Sequence, residues 1–165
     1  MNEKYLVRVE KERLVFCAAH FITYGDDVCE PLHGHNYRVA AEVEGPLEQN
    51  SYVVDFLLLR DALQALTAEL DHRMLLPLEH PTLRVTPQEG PRGAEVLVEH
   101  GLRRWIFPAA DCVLLPVANT TAELLARHLA LRLSEHLPIV PARLRLEVDE
   151  CDGQWGVYEL CSALP

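Results

Sequence analysis

The sequence has no excess of positive charge, no apolar run long enough to cross a bilayer, and no regular spacing among its cysteines. Each absence excludes a class of function. With 15 Lys+Arg against 25 Asp+Glu, the formal net charge is −10 at pH 7. Such a chain lacks the basic face that neutralises phosphates, so a nucleic-acid partner is not expected. An anionic small molecule stays open as a substrate, because a local basic pocket can sit inside an acidic protein. Without a long apolar run, neither a membrane span nor a membrane partner is expected. The start, "MNEKYLVRVEKERL", is charged throughout and does not read as a secretory leader. Five cysteines, an odd number without compact spacing, do not make a disulfide framework, and a reducing cytoplasm is the simpler expectation. Internal repeats and low-complexity segments are also missing. What remains is 165 residues, 49% hydrophobic and 24% charged. That is enough for one well-buried domain, expected over 1–165.

The order of elements follows from periodicity. Residues 5–21 alternate Val and Leu and read as one or two strands, and 22–28 as a polar loop. Residues 35–45 read as a second strand, with Tyr37, Val39, Ala41 and Val43 on one parity. In 56–70, Leu59, Leu63, Leu66 and Leu70 recur at helical spacing after Asp55, a suitable N-cap. A second helix is predicted within 119–137, where Thr120 and Glu123 have the spacing of a capping box and Pro138 ends the pattern. Residues 142–151 and 155–160 read as a closing hairpin around "DGQ". The result is an α+β chain with antiparallel hairpins and helices on one side.

The chemistry concentrates in "CEPLHGHNYRV", residues 29–39. On a strand beginning near His33, His33 and His35 point the same way, and a hairpin through 22–32 brings His20 alongside. Three imidazoles with an open position suit catalytic zinc, while a polar strand start beside a turn glycine would explain the same residues without metal. Cys29 is either a fourth ligand closing a structural site, a thiolate base beside the metal, or a small buried side chain. Burial is the expected fate of Cys17, Cys112 and Cys161. Asp71 and His72 follow the first helix, either as a proton-relay pair or as solvated charges at a helix end. Glu150, at a strand end, can accept two parallel N–H bonds from an amidine-like ring edge, or simply face solvent.

Six stretches in order, "FCAAHF", "CEPLHGHNYRV", "VVDFLLLRDAL", "LDHRMLL", "NTTAELLA" and "ECDGQWGVY", resemble the 6-pyruvoyltetrahydropterin synthase / 6-carboxytetrahydropterin synthase family. The resemblance implies a tunnelling fold (T-fold): a four-stranded antiparallel sheet with two helices packed on one face. It implies assembly as a homohexamer of two stacked trimers. It further implies zinc held by His20, His33 and His35, with Cys29 as general base, Asp71 and His72 as proton relay, and Glu150 as the anchor of a pterin ring. Thr121 and Glu123 fall at the helix start that borders the family's pterin pocket. The implied substrate is 7,8-dihydroneopterin triphosphate. The Cys-x-x-x-His-Gly-His spacing is similar to bacterial queuosine-pathway members, which form 6-carboxytetrahydropterin and release triphosphate and acetaldehyde. Pyruvoyl formation, side-chain cleavage of a dihydroneopterin and a non-catalytic pterin-binding zinc protein are the other implied readings.

Residues 78–116 depart from the family pattern as an insertion between the helices. "EVLVEH" and "RRWIF", separated by Gly101, are expected to form a hairpin extending the sheet, with 81–93 as its mobile loop. The insertion is either a surface elaboration that packs Trp105 on its own domain or a lid in which Arg103 or Arg104 meets the substrate triphosphate.

Overall fold

The structure is a computed structural model that describes residues 3–25 and 28–162. Asp26 and Asp27 of the expected loop, like the chain ends, lie outside the described residues. Strand β1 (Tyr5–His20) and strand β4 (His33–Gly45) pair antiparallel, from Tyr5 opposite Gly45 to His20 opposite His33. Between them a short ribbon forms from β2 (Thr23–Tyr24) and β3 (Val28–Cys29). Strand β10 (Arg143–Cys151) pairs with β4, and β11 (Gln154–Cys161) closes the hairpin at that edge.

These four antiparallel strands are the expected sheet. Two more extend it beyond β1, both parallel: β5 (Arg73–Pro77) beside β1 and β9 (Cys112–Leu115) beside β5. The "RMLLP" run of β5 is apolar without alternation because both of its faces are covered, as is usual for parallel strands. Leu75 joins the helix-side core, while Met74 and Leu76 join a second cluster with Leu83, Val96 and Val98.

Helix α1 (Phe56–Leu70) begins where expected, the Asp55 carboxylate accepting the Leu57 N–H at 2.6 Å. Leu59, Leu63, Leu66 and Leu70 are buried against the sheet. Helix α2 (Ala122–His136) packs on β10 and β11 through Leu125, Leu129 and Leu133. The capping box does not form. The N-cap is Thr121, without a side-chain cap bond, and the buried Thr120 hydroxyl donates to Phe21 O at 3.3 Å.

The inward parity of β1 and β4 is the predicted one, with Phe16 stacked on Tyr37 at 4.6 Å and Val39, Ala41 and Val43 buried. Cys17 and Cys161 correct the expectation of burial. Both are exposed because they fall on the outward parity of their strands, and Cys112 is half-buried. On that outward face Arg8 pairs with Glu42 at 2.9 Å and Glu147 at 2.7 Å, and Arg145 with Glu147 at 2.7 Å.

Residues 84–108 fold into a separate three-stranded antiparallel sheet, β6 (Arg84–Gly90), β7 (Gly93–His100) and β8 (Arg103–Pro108). The hairpin about Gly101 is present, and Gly101 takes the left-handed φ of +57° that its turn requires. It does not extend the main sheet, which instead receives β9. Nor is 81–93 a loop, since most of it is strand β6. Pro87 is tolerated there because β6 is an edge strand. Val96 and Val98 of β7 are buried in the second cluster with Phe21, Met74, Leu76 and Leu83, and Trp105 and Phe107 pack against it. Among the described residues, no helix is long and apolar enough to cross a membrane.

Candidate metal centre and its surroundings

At the end of the sheet where β1 finishes and β4 starts, His20, His33 and His35 share the inward face. One nitrogen from each lies within 4.8 Å of the others. His20 opposes His33 in the ladder and His35 opposes Ala18, so the triad is a direct product of register. Each ring is oriented from behind. His20 Nδ1 donates to Thr120 O at 2.9 Å, just before helix α2, and His33 Nδ1 donates to Pro31 O at 2.8 Å. His35 Nδ1 meets the thiol of Cys151 at 3.3 Å.

A carbonyl only accepts, so the Nδ1 atoms of His20 and His33 carry protons, and in the neutral rings that can bind a metal the Nε2 atoms present lone pairs. Those two Nε2 atoms stand 3.1 Å apart. Two bare lone pairs at that distance repel, and a cation between them removes the repulsion. Nitrogen ligands about 2.0–2.1 Å from a tetrahedral zinc stand roughly 3.3 Å apart, so the donor set fits such an ion. Burial above all, with His33 and His35 adding to it, pushes the fully buried His20 down to about 4. The imidazole is therefore neutral near pH 7, as a ligand must be.

Glu150 approaches the triad from β10. It falls at the irregularity between Asp149 and Cys151, where the ladder skips a residue and the strand can re-aim a side chain. Its Oε1 lies 3.3 Å from His20 Nε2 and accepts from the Tyr37 hydroxyl at 3.4 Å. Burial, and then Glu150, raise the Tyr37 phenol far above its ordinary value, so it remains a donor.

Cys29 lies at the end of β3, half-buried against the second cluster, and its Sγ is 3.5 Å from Glu30 O. Among the described residues, the group that could hold a metal contains no cysteine, which leaves the fourth-ligand reading without geometric support. Its neighbour Glu30, which the sequence reading passed over, sends Oε2 to 3.7 Å from His33 Nε2. Their spacing of three residues on a tight approach to the strand was the available signal.

Asp71 and His72 form the expected pair, His72 Nδ1 lying 2.9 Å from the Asp71 carboxylate. Asp71 also accepts the Cys17 N–H at 2.8 Å, and that bond first, then His72, holds its carboxyl below the usual range. His72 has a left-handed φ of +57° and is exposed. The pair opens on a groove of about 1040 Å³ lined also by Cys17, Asn36 and Arg38, on the outward face of the sheet. Neither Cys29 nor any triad histidine lines that groove. Thr121 and Glu123 mark the start of α2, where Gly156 of β11 lies so close that a Cβ would stand 2.4 Å from the Ala122 carbonyl carbon. Cys151 and Thr120, the partners behind His35 and His20, were not anticipated. A backbone carbonyl and a thiol beside a ring nitrogen leave no periodic trace in sequence.

A family model described as 6-pyruvoyl tetrahydropterin synthase matches residues 8–161. The chain belongs to the 6-pyruvoyl tetrahydropterin synthase family. It is an enzyme of the tetrahydropterin synthase type, a lyase. A Methanocaldococcus jannaschii protein provisionally named 6-carboxy-5,6,7,8-tetrahydropterin synthase is 30% identical over 150 residues, which is 88% of this chain and 89% of that protein. A shorter match, 38% identical over 71 residues, joins 42% of this chain to 60% of the dihydroneopterin monophosphate aldolase of Pyrococcus furiosus. Among solved structures, the 6-pyruvoyl tetrahydropterin synthase of Plasmodium falciparum superposes with a TM-score of 0.89 at 26% identity, covering 98% of this chain and all of that one.

Proposed function

We propose that this enzyme converts 7,8-dihydroneopterin triphosphate and one water to 6-carboxy-5,6,7,8-tetrahydropterin, releasing triphosphate and acetaldehyde. The observation that carries the reading is the triad of His20, His33 and His35, each ring braced at Nδ1. His20, His33 and His35 hold zinc, which when bound supplies Lewis acidity toward the side-chain hydroxyls of the pterin. Cys29 removes a carbon-bound proton as a thiolate. Glu150 accepts the paired N–H groups of the pterin's amidine edge, at the pocket wall begun by Thr121 and Glu123.

The Asp71–His72 pair serves as the proton relay. Because it opens on the outward face of the sheet, it acts on a site completed by a second copy of the chain, in a homohexamer. Assembly also covers the unpaired edge of β11. The chain is a single domain with 78–116 as an insertion, and it works in the cytoplasm in queuosine synthesis.

A second reading is favoured by Glu30. Its carboxylate stands 3.7 Å from His33 Nε2, and a relative is named a dihydroneopterin monophosphate aldolase. With Glu30 as the base, the reaction is cleavage of the dihydroneopterin side chain. Incubating zinc-loaded wild type, Cys29→Ala and Glu30→Gln proteins with dihydroneopterin triphosphate, and identifying products by mass spectrometry, separates the two. The first reading expects 6-carboxytetrahydropterin from the wild type, lost in Cys29→Ala. A 6-hydroxymethyl product lost only in Glu30→Gln establishes the second.

A further inference from the structure

The loop that carries Cys29 and Glu30 receives two backbone hydrogen bonds from one side chain of β8. Arg103, at the start of β8, places Nη1 2.7 Å from Cys29 O and 3.2 Å from Glu30 O. Its guanidinium lies over the Trp105 ring, 4.6 Å from the centroid, and Trp105 stacks on Phe21 at 4.7 Å. Phe21 directly follows His20. One chain of contacts thus runs from the triad strand through two aromatic rings and a cation to the carbonyls of the two candidate bases.

Strand alternation builds this clamp. Arg103, Trp105 and Phe107 occupy the half-buried parity of β8, whereas Arg104 and Ile106 occupy the exposed one. A guanidinium is planar, stacks on an aromatic face and presents donors in a fixed fork, so it can serve two adjacent carbonyls while resting on a ring.

We propose that Arg103 is a positioning residue for the reaction: it fixes the backbone of Cys29 and Glu30 and thereby the placement of whichever of them acts as base. This rests on the functional reading above. It differs from the lid alternative offered by the sequence, in which an arginine meets the triphosphate, because here Arg103 is already committed to two carbonyls. A misplacement of about 1 Å in a reacting group can lower the rate by roughly 10²-fold, so a loosened loop is costly even when every functional side chain is intact.

The test compares Arg103→Ala, Arg103→Met and Arg103→Lys with wild type, using Arg104→Ala as a control on the exposed parity. Amide hydrogen exchange is read at Glu30, whose N–H donates to Ile22 O at 2.9 Å. Arg103→Ala is expected to speed that exchange and to lower kcat by about 10²-fold with KM and zinc content unchanged. Arg103→Lys should recover part of both effects, and Arg104→Ala should alter neither. Arg103→Met keeps an apolar stem on Trp105 and carries the test if the alanine variant does not fold. Unchanged exchange at Glu30 in a folded Arg103 variant overturns the proposal. So does a raised KM confined to the triphosphate substrate with kcat preserved, which would make Arg103 a substrate contact. Exchange is measured without substrate, so a wild type that turned over no pterin would refute the proposed function while the exchange data still decide whether the clamp exists.

Discussion

His20 and His33 face each other Nε2 to Nε2 at 3.1 Å, although each already donates from Nδ1 to a backbone carbonyl. The arrangement places two lone pairs in repulsion unless a cation lies between them.

Burial of His20 gives the first prediction, a pH dependence of the metal-free protein. His20 is held near 4 in the fold, against an ordinary value of 6.5. Below 6.5 the unfolded chain takes up a proton that the folded chain refuses until about pH 4. The metal-free protein is therefore stable above 6.5 and loses up to about 3 kcal/mol as pH falls from 6.5 to 4. Denaturant midpoints across that range check it. His128 shifts in the same direction by burial, so the difference between wild type and His20→Gln isolates the share of His20. Parallel pH profiles in the two proteins would contradict the assignment.

Gly156 sets the second. A Cβ there would stand 2.5 Å from the Glu123 nitrogen and 2.4 Å from the Ala122 carbonyl carbon, both backbone atoms. Gly156→Ala must push the start of α2 away, at a cost of about 1–3 kcal/mol or more. Because Thr120 O braces His20 just before that start, metal affinity should fall with stability. A variant as stable as wild type in denaturant would show that the helix start yields freely.

Glu150 gives a binding prediction. Glu150→Gln keeps the shape but removes the charge that strengthens its contact to a pterin edge. Affinity for the pterin should fall by about 10- to 100-fold, the range of one charge-assisted bond. Fluorescence titration measures it, and unchanged affinity would remove Glu150 from the anchor role.

The outward placement of Asp71 and His72 leads to a complementation test. Cys29→Ala and His72→Ala should each lose about 10²- to 10⁴-fold in rate. Unfolding and refolding the two together should restore part of the activity, because mixed oligomers contain some intact composite sites. Mixed oligomers with no recovered turnover would place the relay elsewhere.

The parts of the fold and site legible in sequence share one physical property: periodicity. Leu59, Leu63, Leu66 and Leu70 announced α1, and alternation announced the pairing that brings His20 to His33. What was not legible depends on contacts without period. The Thr120 spacing suggested a side-chain cap, yet its carbonyl braces His20 and its hydroxyl bonds Phe21 O. Pro87 and Gly90 suggested a loop at β6, although an edge strand accommodates both. The "DCVLLP" run that holds β9 reads as a short strand but announces no parallel partner, and β5 is short and buried, without alternation to separate it from other core segments. Glu30, Cys151 and Arg103 matter through approach in space, which only the structure supplies.

Zinc content of purified wild type, His33→Ala, His35→Ala and Cys29→Ala, measured together with turnover, tests the central claim most directly. The account predicts about one zinc per chain in wild type and in Cys29→Ala, with turnover lost in the latter, and most of the zinc lost in both histidine variants. Full zinc in His33→Ala and His35→Ala, or zinc released by Cys29→Ala, would contradict it.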